Sequence, residues 1–289
     1  MVISNVYVSE IFTSLEGEGP YTGYPTTYVR FAGCNFTCKG FNNPDKLPVI
    51  NFDPNQYNNI KDLPAITKGC DSIYSVSNKF RHLWKKYTPY TLMSEVEQNL
   101  PDQIWESPSG LPYILSLTGG EPTLQQEFIG EFLLEIYDQY YFPSIIIIET
   151  NGTIPLKQEF INLLNILTDQ HGIKVVWSNS LKLSFSGELE KKAIKPEVLA
   201  RQLTINNCEQ YFKFVVDGSE SAIEEIVRII ITYNLEYMIN YKNTYLMPNA
   251  CTNEQLIEVG KKVAEQCIRK GYKYCTRLQN TLWDNLPGT

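Results

Sequence analysis

Strand-forming residues dominate the first forty positions. Val6-Tyr7-Val8, Glu10-Ile11-Phe12 and Tyr28-Val29-Arg30-Phe31 read as extended segments. Between them lies Glu16-Gly17-Glu18-Gly19-Pro20, a turn whose glycines let the backbone approach a ligand closely. The pattern then breaks. Residues 39–69 carry Pro44, Pro48, Pro54 and Pro64 among several Asn and Asp, with no helical or strand period. An excursion of that length is functional or specially supported. Beyond it, strands and helices alternate. Residues 113–117 form a short apolar strand that ends at Gly119-Gly120, and 123–140 place Ile129, Phe132, Leu133 and Ile136 on one helical face. Residues 144–148 make the clearest buried parallel strand, and 174–177 and 212–216 add two more. Ser221 with Glu224, and Thr252 with Gln255, have capping-box spacing ahead of apolar stripes, and 272–278 predicts a late strand. Repeated strand–helix units predict a parallel sheet, open or partly closed. Ligands gather at the C-terminal strand ends of such sheets. Three unusual segments fall there: the cysteine loop after Phe31, the double glycine, and Glu149-Thr150-Asn151.

The chain has 289 residues, 43% of them hydrophobic, enough for one core of barrel size or two smaller ones. No linker or internal repeat divides it, so 1–289 reads as a single domain with 39–69 as an insert. A formal charge of -7 argues against capture of nucleic acid or an anionic membrane, yet leaves room for a small anion in a locally positive pocket. Met1-Val2-Ile3-Ser4-Asn5 lacks the features of a secretory signal, and no apolar run approaches the roughly 20 residues of a membrane span. Seven cysteines is an odd number. Together these predict a cytoplasmic, reducing setting in which thiols serve clusters, metals or cores.

The candidate chemistry starts with Cys34 and Cys38, with three residues between them, and Cys70 in Gly69-Cys70-Asp71-Ser72. A close thiolate pair with a third partner can hold an iron–sulfur cluster, and three thiolates leave one iron of a [4Fe–4S] cluster open. Taken alone, these cysteines read equally well as buried thiols, and a zinc site of Cys34, Cys38, Cys70 and His82 is a further alternative. Gly119-Gly120-Glu121-Pro122 follows a strand and precedes a helix, so two glycines can clear space for a ligand while carbonyls and Glu121 accept from an ammonium group. Cys208, Cys251, Cys267 and Cys275 have no partner spacing and read as core or surface thiols, and the four Trp read as packing residues.

Cys34-x3-Cys38 resembles the opening of the radical S-adenosylmethionine signature, although Phe41 stands where its third Cys belongs. Cys70-Asp71-Ser72 resembles the Cys-Asp-Thr that closes this loop in one branch of that superfamily, so the third ligand is expected at Cys70. Glu10-Ile11-Phe12-Thr13-Ser14-Leu15-Glu16-Gly17-Glu18-Gly19, Gly23-x-Pro25, Val29–Cys34, Ser180-Leu181-Lys182, Lys213-Phe214-Val215, Met247-Pro248 and the terminal Trp283-Asp284-Asn285-Leu286-Pro287-Gly288 resemble the 7-carboxy-7-deazaguanine synthase family. The resemblance implies a partial (β/α)6-type barrel of the radical S-adenosylmethionine kind. It implies a lyase that converts 6-carboxy-5,6,7,8-tetrahydropterin into 7-carboxy-7-deazaguanine with loss of ammonia, in queuosine-type biosynthesis. The implied cofactors are a [4Fe–4S] cluster on Cys34, Cys38 and Cys70, S-adenosylmethionine, and Mg2+ on Ser72. Substrate contacts are implied for Leu15, Glu16, Gly17, Glu18, Arg30, Thr118 and the terminal Thr289, and S-adenosylmethionine contacts for Gly120, Glu121, Ser180, Lys182, Met247 and Pro248. An external electron donor and a homodimer are implied as partners. Glu16 stands where the family usually has Gln, which places an anion beside the substrate where a donor is usual. A radical activase of another protein, or a non-catalytic metal-binding relative, is the alternative.

Overall fold

The computed structural model describes residues 4–137, 142–284 and 286–288. Strands β1 (Val6–Leu15), β2 (Pro25–Phe31), β3 (Lys85–Tyr87), β4 (Ile114–Gly119), β5 (Ile145–Thr150), β6 (Lys174–Asn179), β7 (Cys208–Val216), β8 (Thr244–Pro248) and β9 (Lys273–Tyr274) form one sheet, ordered β3-β1-β2-β4-β5-β6-β7-β8-β9. From β2 to β8 all pairings are parallel. This six-strand run is the partial barrel expected, and it does not close. Antiparallel β1 and β3 extend one side, and the two-residue β9 extends the other.

Parallel strands covered on both faces read as continuous apolar runs because each alternate residue meets a different layer. In β5, Ile146 and Ile148 join the outer core with Phe132 and Leu164, whereas Ile147 points to the inner face with Val176, Tyr211 and Tyr245. The helices are α1 (Ile73–Val76), α2 (Pro89–Asn99), α3 (Gln126–Tyr137), α4 (Gln158–His171), α5 (Glu190–Ala193), α6 (Pro196–Gln202), α7 (Glu220–Thr232), α8 (Asn253–Lys270) and α9 (Leu278–Trp283). The apolar stripes of α2, α3 and α4 cover one half of the outer face, and Ile226 of α7 and Val263 of α8 help cover the other.

Three expectations change in detail. The two N-terminal extended segments are one strand with an irregular register between Val8 and Glu10. Ser219, not Ser221, caps α7, its hydroxyl accepting from the Ala222 N–H at 3.3 Å; the Ser-x-Ser repeat offers both. The late strand is only two residues long because the chain turns at Arg277 into α9. Thr252 caps α8 as expected, accepting from the Gln255 N–H.

Candidate functional site

The loop after β2 carries Cys34 and Cys38 to the C-terminal edge of the sheet. Cys38 has a left-handed backbone, φ 44°, which a non-glycine residue adopts only under local support. That support is the Glu188 carboxylate, which accepts from both the Thr37 and Cys38 N–H groups at 2.8 Å. The chain then leaves for the insert and comes back beside its point of departure: the Gly69 N–H donates to the Phe41 carbonyl at 2.5 Å. The excursion is thereby pinched off at its base, and Cys70 arrives next to position 41. Phe41 itself turns away from a ligand's role and packs edge-on against Phe185, ring centroids 5.9 Å apart.

The insert is specially supported, as its length requires. Ile60, Leu63 and Ile66 form a small core with Ile73 and Phe80, and Asp53 and Asn59 cap two short 3-10 turns within it. Its returning limb contributes Pro64, Ala65 and Ile66 to the wall of the site.

The double glycine makes room for protein backbone at the pocket wall. A Cβ on Gly119 (φ +132°) would lie 2.1 Å from the Phe31 carbonyl oxygen, and one on Gly120 would lie 2.1 Å from that of Gly33. The space is needed by the cysteine loop's backbone, which accepts from Gly120 N–H at 3.0 Å and Glu121 N–H at 2.9 Å. Glu121 is fully buried. Its carboxylate takes hydrogen bonds from the Thr123 N–H and hydroxyl, the Thr150 hydroxyl and the Asn151 N–H at 2.5–3.1 Å. It clamps the end of β4 to the end of β5 and is not on the pocket wall. Asn151 in turn donates to Asn35 at 2.9 Å and lies 4.0 Å from Cys34 Sγ, so the polar end of β5 also braces the cysteine loop.

Cys34, Cys38 and Cys70 line one pocket. Burial lifts all three thiols, Cys38 to about 12 against a weaker pull from Lys182; Cys70 is lifted further by Asp71, Cys38 and Cys34. Thiols in this state release protons when a metal takes them as thiolates. The Phe36 N–H is directed at Cys34 Sγ, 3.4 Å away. Cys251 also lies on the pocket wall, but the charges that act on it are Asp71 and Arg277 rather than the three thiols. Three thiols on the wall of one pocket, with an N–H aimed at one sulfur, suit an iron–sulfur cluster with one open corner. No three His, Cys, Asp or Glu among the described residues converge as tightly as the ligands of a single ion would. His82 faces the Pro54 and Tyr57 carbonyls, which removes it from the zinc alternative.

Next to the thiols lies a charged chamber. Arg30 is anchored through Nε to Glu10 at 3.0 Å and donates from Nη1 to Ser72 Oγ at 3.3 Å. Burial opposes its charge, but Tyr74, Glu10 and Glu149 outweigh that and keep it protonated. Lys213 is 3% exposed in the middle of β7, where the period of two turns it inward with Tyr211. It pairs with Glu18 at 2.6 Å. Glu18 also receives Arg277 at 3.4 Å and Gln279 at 3.2 Å, so it is held by protein cations. Arg277 continues to Asp71 at 2.5 Å and to the Ala250 carbonyl, tying α9, the Glu16-to-Gly19 turn, the β8 end and the returning Cys70 limb together. Leu278 N–H donates to the Gly17 carbonyl at 3.1 Å. Thr118 donates to Glu149 at 2.9 Å. On the far side Lys182 Nζ donates to the carbonyl and hydroxyl of Ser180 at 3.0 and 2.9 Å.

Of the expected site residues, Leu15, Glu16, Gly17, Glu18, Arg30, Ser72, Thr118, Gly120, Ser180, Lys182, Met247 and Pro248 line the same pocket as the three cysteines. Thr289 lies outside the described residues, while Leu286, Pro287 and Gly288 line the pocket. Sequence reasoning missed Asp71, Lys213 and Arg277 as site residues, while Glu149 lies in the segment it singled out at the end of the 144–148 strand. A lysine within Phe212-Lys213-Phe214-Val215-Val216 was a legible signal, because a charge in a buried strand needs a buried partner. Arg277 carried no such signal.

A parallel sheet whose C-terminal edge gathers three thiols defines an iron–sulfur protein, and residues 15–189 match the family described as 4Fe-4S single cluster domain. The chain belongs to that family. Among curated proteins it is similar to the 7-carboxy-7-deazaguanine synthase of Rhodopirellula baltica, 25% identical across 99% of this chain and 90% of the relative. It is also similar to that of Methanospirillum hungatei, 28% identical across 53% of this chain; there it spans less than half the relative's length, 44%. The crystal structure of QueE from Escherichia coli superposes with a TM-score of 0.53 at 17% identity, covering 94% of this chain and 93% of that one, a likeness of fold.

Proposed function

We propose that this chain is a radical S-adenosylmethionine enzyme that contracts 6-carboxy-5,6,7,8-tetrahydropterin to 7-carboxy-7-deazaguanine with release of ammonia. The observation that carries the reading is the Gly69 N–H to Phe41 carbonyl bond, which brings Cys70 to the position that a short cluster motif would fill. The names of the full-length relatives support it.

Cys34, Cys38 and Cys70 would hold the cluster, with Gly120, Ser180, Lys182, Met247 and Pro248 around S-adenosylmethionine. When bound, the pair supplies one-electron reductive cleavage of S-adenosylmethionine and so the radical that the reaction needs. The chain's own residues bind and orient. Arg30, with Nε fixed on Glu10, presents its Nη edge to a substrate carboxylate beside Ser72. The Ser72 hydroxyl would help hold Mg2+, since a small hard cation takes oxygen ligands and retains waters. Glu121 acts as a positioning residue for the Gly120 turn, its carboxylate being fully engaged within the protein. Leu15, Gly17, Glu18 and Thr118 would frame the pterin, with Glu18 fixed by Lys213. Thr289 would complete the contact from the chain end. An external one-electron donor, a homodimer and a cytoplasmic location belong to the same reading. Reduced, reconstituted protein incubated with the carboxytetrahydropterin and S-adenosylmethionine should yield 7-carboxy-7-deazaguanine by mass spectrometry. Formation of 5′-deoxyadenosine without pterin conversion would overturn the substrate.

A further inference from the structure

Glu16 is a buried acid of the chamber, 1% exposed, and among the described residues no cation is bonded to it. Its partners are the Glu18 N–H, 3.2 Å from Oε1, and the Tyr28 hydroxyl, 3.2 Å from Oε2. The groups that face it are Glu18 on its own turn, Tyr28 of β2, Glu149 of β5, Tyr211 and Lys213 of β7, and Cys275 after β9. Lys213 is the one cation among them, and it is bonded to Glu18.

Tyr28 supplies the geometry that a proton on Glu16 would use. Its hydroxyl lies 3.2 Å from the Leu15 carbonyl as well as 3.2 Å from Glu16 Oε2. One hydroxyl carries one proton, and a carbonyl oxygen supplies none. The Tyr28 proton either bifurcates between both oxygens or goes to Leu15 alone while a protonated Glu16 Oε2 donates to Tyr28, and only the second arrangement gives each contact its own proton. A buried carboxyl whose one neighbouring cation is bonded to another acid favours its neutral form, because ionisation out of water is costly.

We propose that Glu16 stands in the pocket as a neutral carboxylic acid, its proton shared with Tyr28, and that this neutral form is what admits an anionic, carboxylate-bearing pterin. The substrate part rests on the function proposed above; the proton does not. A neutral carboxyl has a carbonyl acceptor and a hydroxyl donor on one planar edge, as a Gln amide has an acceptor and a donor. The anion expected from sequence at this position is therefore absent near neutral pH. Burial and Glu149 raise the Glu16 carboxyl to about 8, with Lys213 pulling weakly the other way. Ionisation above that value adds a second uncompensated carboxylate beside Glu149, and an anionic ligand is repelled.

The test compares the wild type with Glu16→Gln, binding 6-carboxypterin at a series of pH values. The ligand's own ionisations occur with both proteins and cancel in the ratio of affinities. Wild-type affinity should fall about tenfold relative to Glu16→Gln between about pH 7 and about pH 9, the loss expected when only the acid form binds and half is ionised near 8. A ratio that stays flat overturns the specificity role. Infrared difference spectra of the ligand-free proteins decide the proton by themselves. The wild type should show a protonated-carboxyl C=O band below neutral pH that Glu16→Gln lacks and that vanishes on alkalinisation; its absence overturns the neutral acid. If the band is present but neither protein binds or converts the pterin at any pH, the substrate reading falls and the neutral acid stands.

Discussion

At the scale of single residues, the site runs on buried charges whose partners come from distant parts of the chain. Lys213 and Glu18 are 195 positions apart and their side chains are 4% and 14% exposed. Truncating one partner leaves the other charge buried, so Lys213→Met should cost about 3–5 kcal/mol in denaturant unfolding. Glu16 gives a prediction with a sign. Its carboxyl is near 8 when folded against 4.5 as a free group. The folded chain holds that proton more tightly than the unfolded one, so the group's contribution is fully present below about pH 4.5 and is lost as pH rises to about 8. Glu16→Gln removes this titration. Its thermal midpoint should therefore rise relative to the wild type across that window, as its unfolding free energy gains on the order of a few kcal/mol once pH exceeds the folded value. Parallel pH profiles of the two midpoints would contradict the assignment.

At the scale of elements, close backbone packing at the strand ends matters more than any single ligand contact. Adding a methyl group at Gly120 drives it into the Gly33 carbonyl and within 3.0 Å of Cys34 Cβ. Gly120→Ala should destabilise by about 1–3 kcal/mol or more and lower the iron retained after reconstitution, with far-ultraviolet circular dichroism unchanged. The insert depends on Phe80, fully buried beneath it. Phe80→Ala should cost about 3–5 kcal/mol and loosen the limb that carries Cys70, visible as faster cluster loss to a chelator. Much of this layer was legible in the sequence. The apolar run of 144–148, the Thr252 cap and the glycine pair each announced an element or its end, because period, cap chemistry and backbone freedom are local properties. What the double glycine makes room for was not legible. That answer depends on the neighbouring strand's terminal loop at Gly33 and Cys34, far away along the chain. The same holds for Glu121, whose carboxylate is consumed by Thr150 and Asn151, and for Arg277, whose three partners come from three separate segments.

At the scale of the whole molecule, an open sheet with six mutually parallel strands delivers its loops to one edge, and the antiparallel β1–β2 pair places the Glu16-to-Gly19 turn at the other end of β2, where it lines the same pocket. The insert and the chain end enclose the site further: Pro64 and Ile66 stand on its wall with Leu286 and Pro287. No helix among the described residues is long and apolar enough to cross a membrane. All of this architecture converges on one sulfur arriving from beyond a thirty-residue detour. Anaerobic reconstitution of the wild type, Cys70→Ala and Cys251→Ala, read by iron content and by electron paramagnetic resonance of the reduced proteins, addresses it directly. The account predicts about four irons per chain in the wild type and in Cys251→Ala, with a signal that changes on adding S-adenosylmethionine, and loss of both in Cys70→Ala. A Cys70→Ala protein that keeps its iron and its response to S-adenosylmethionine would contradict it.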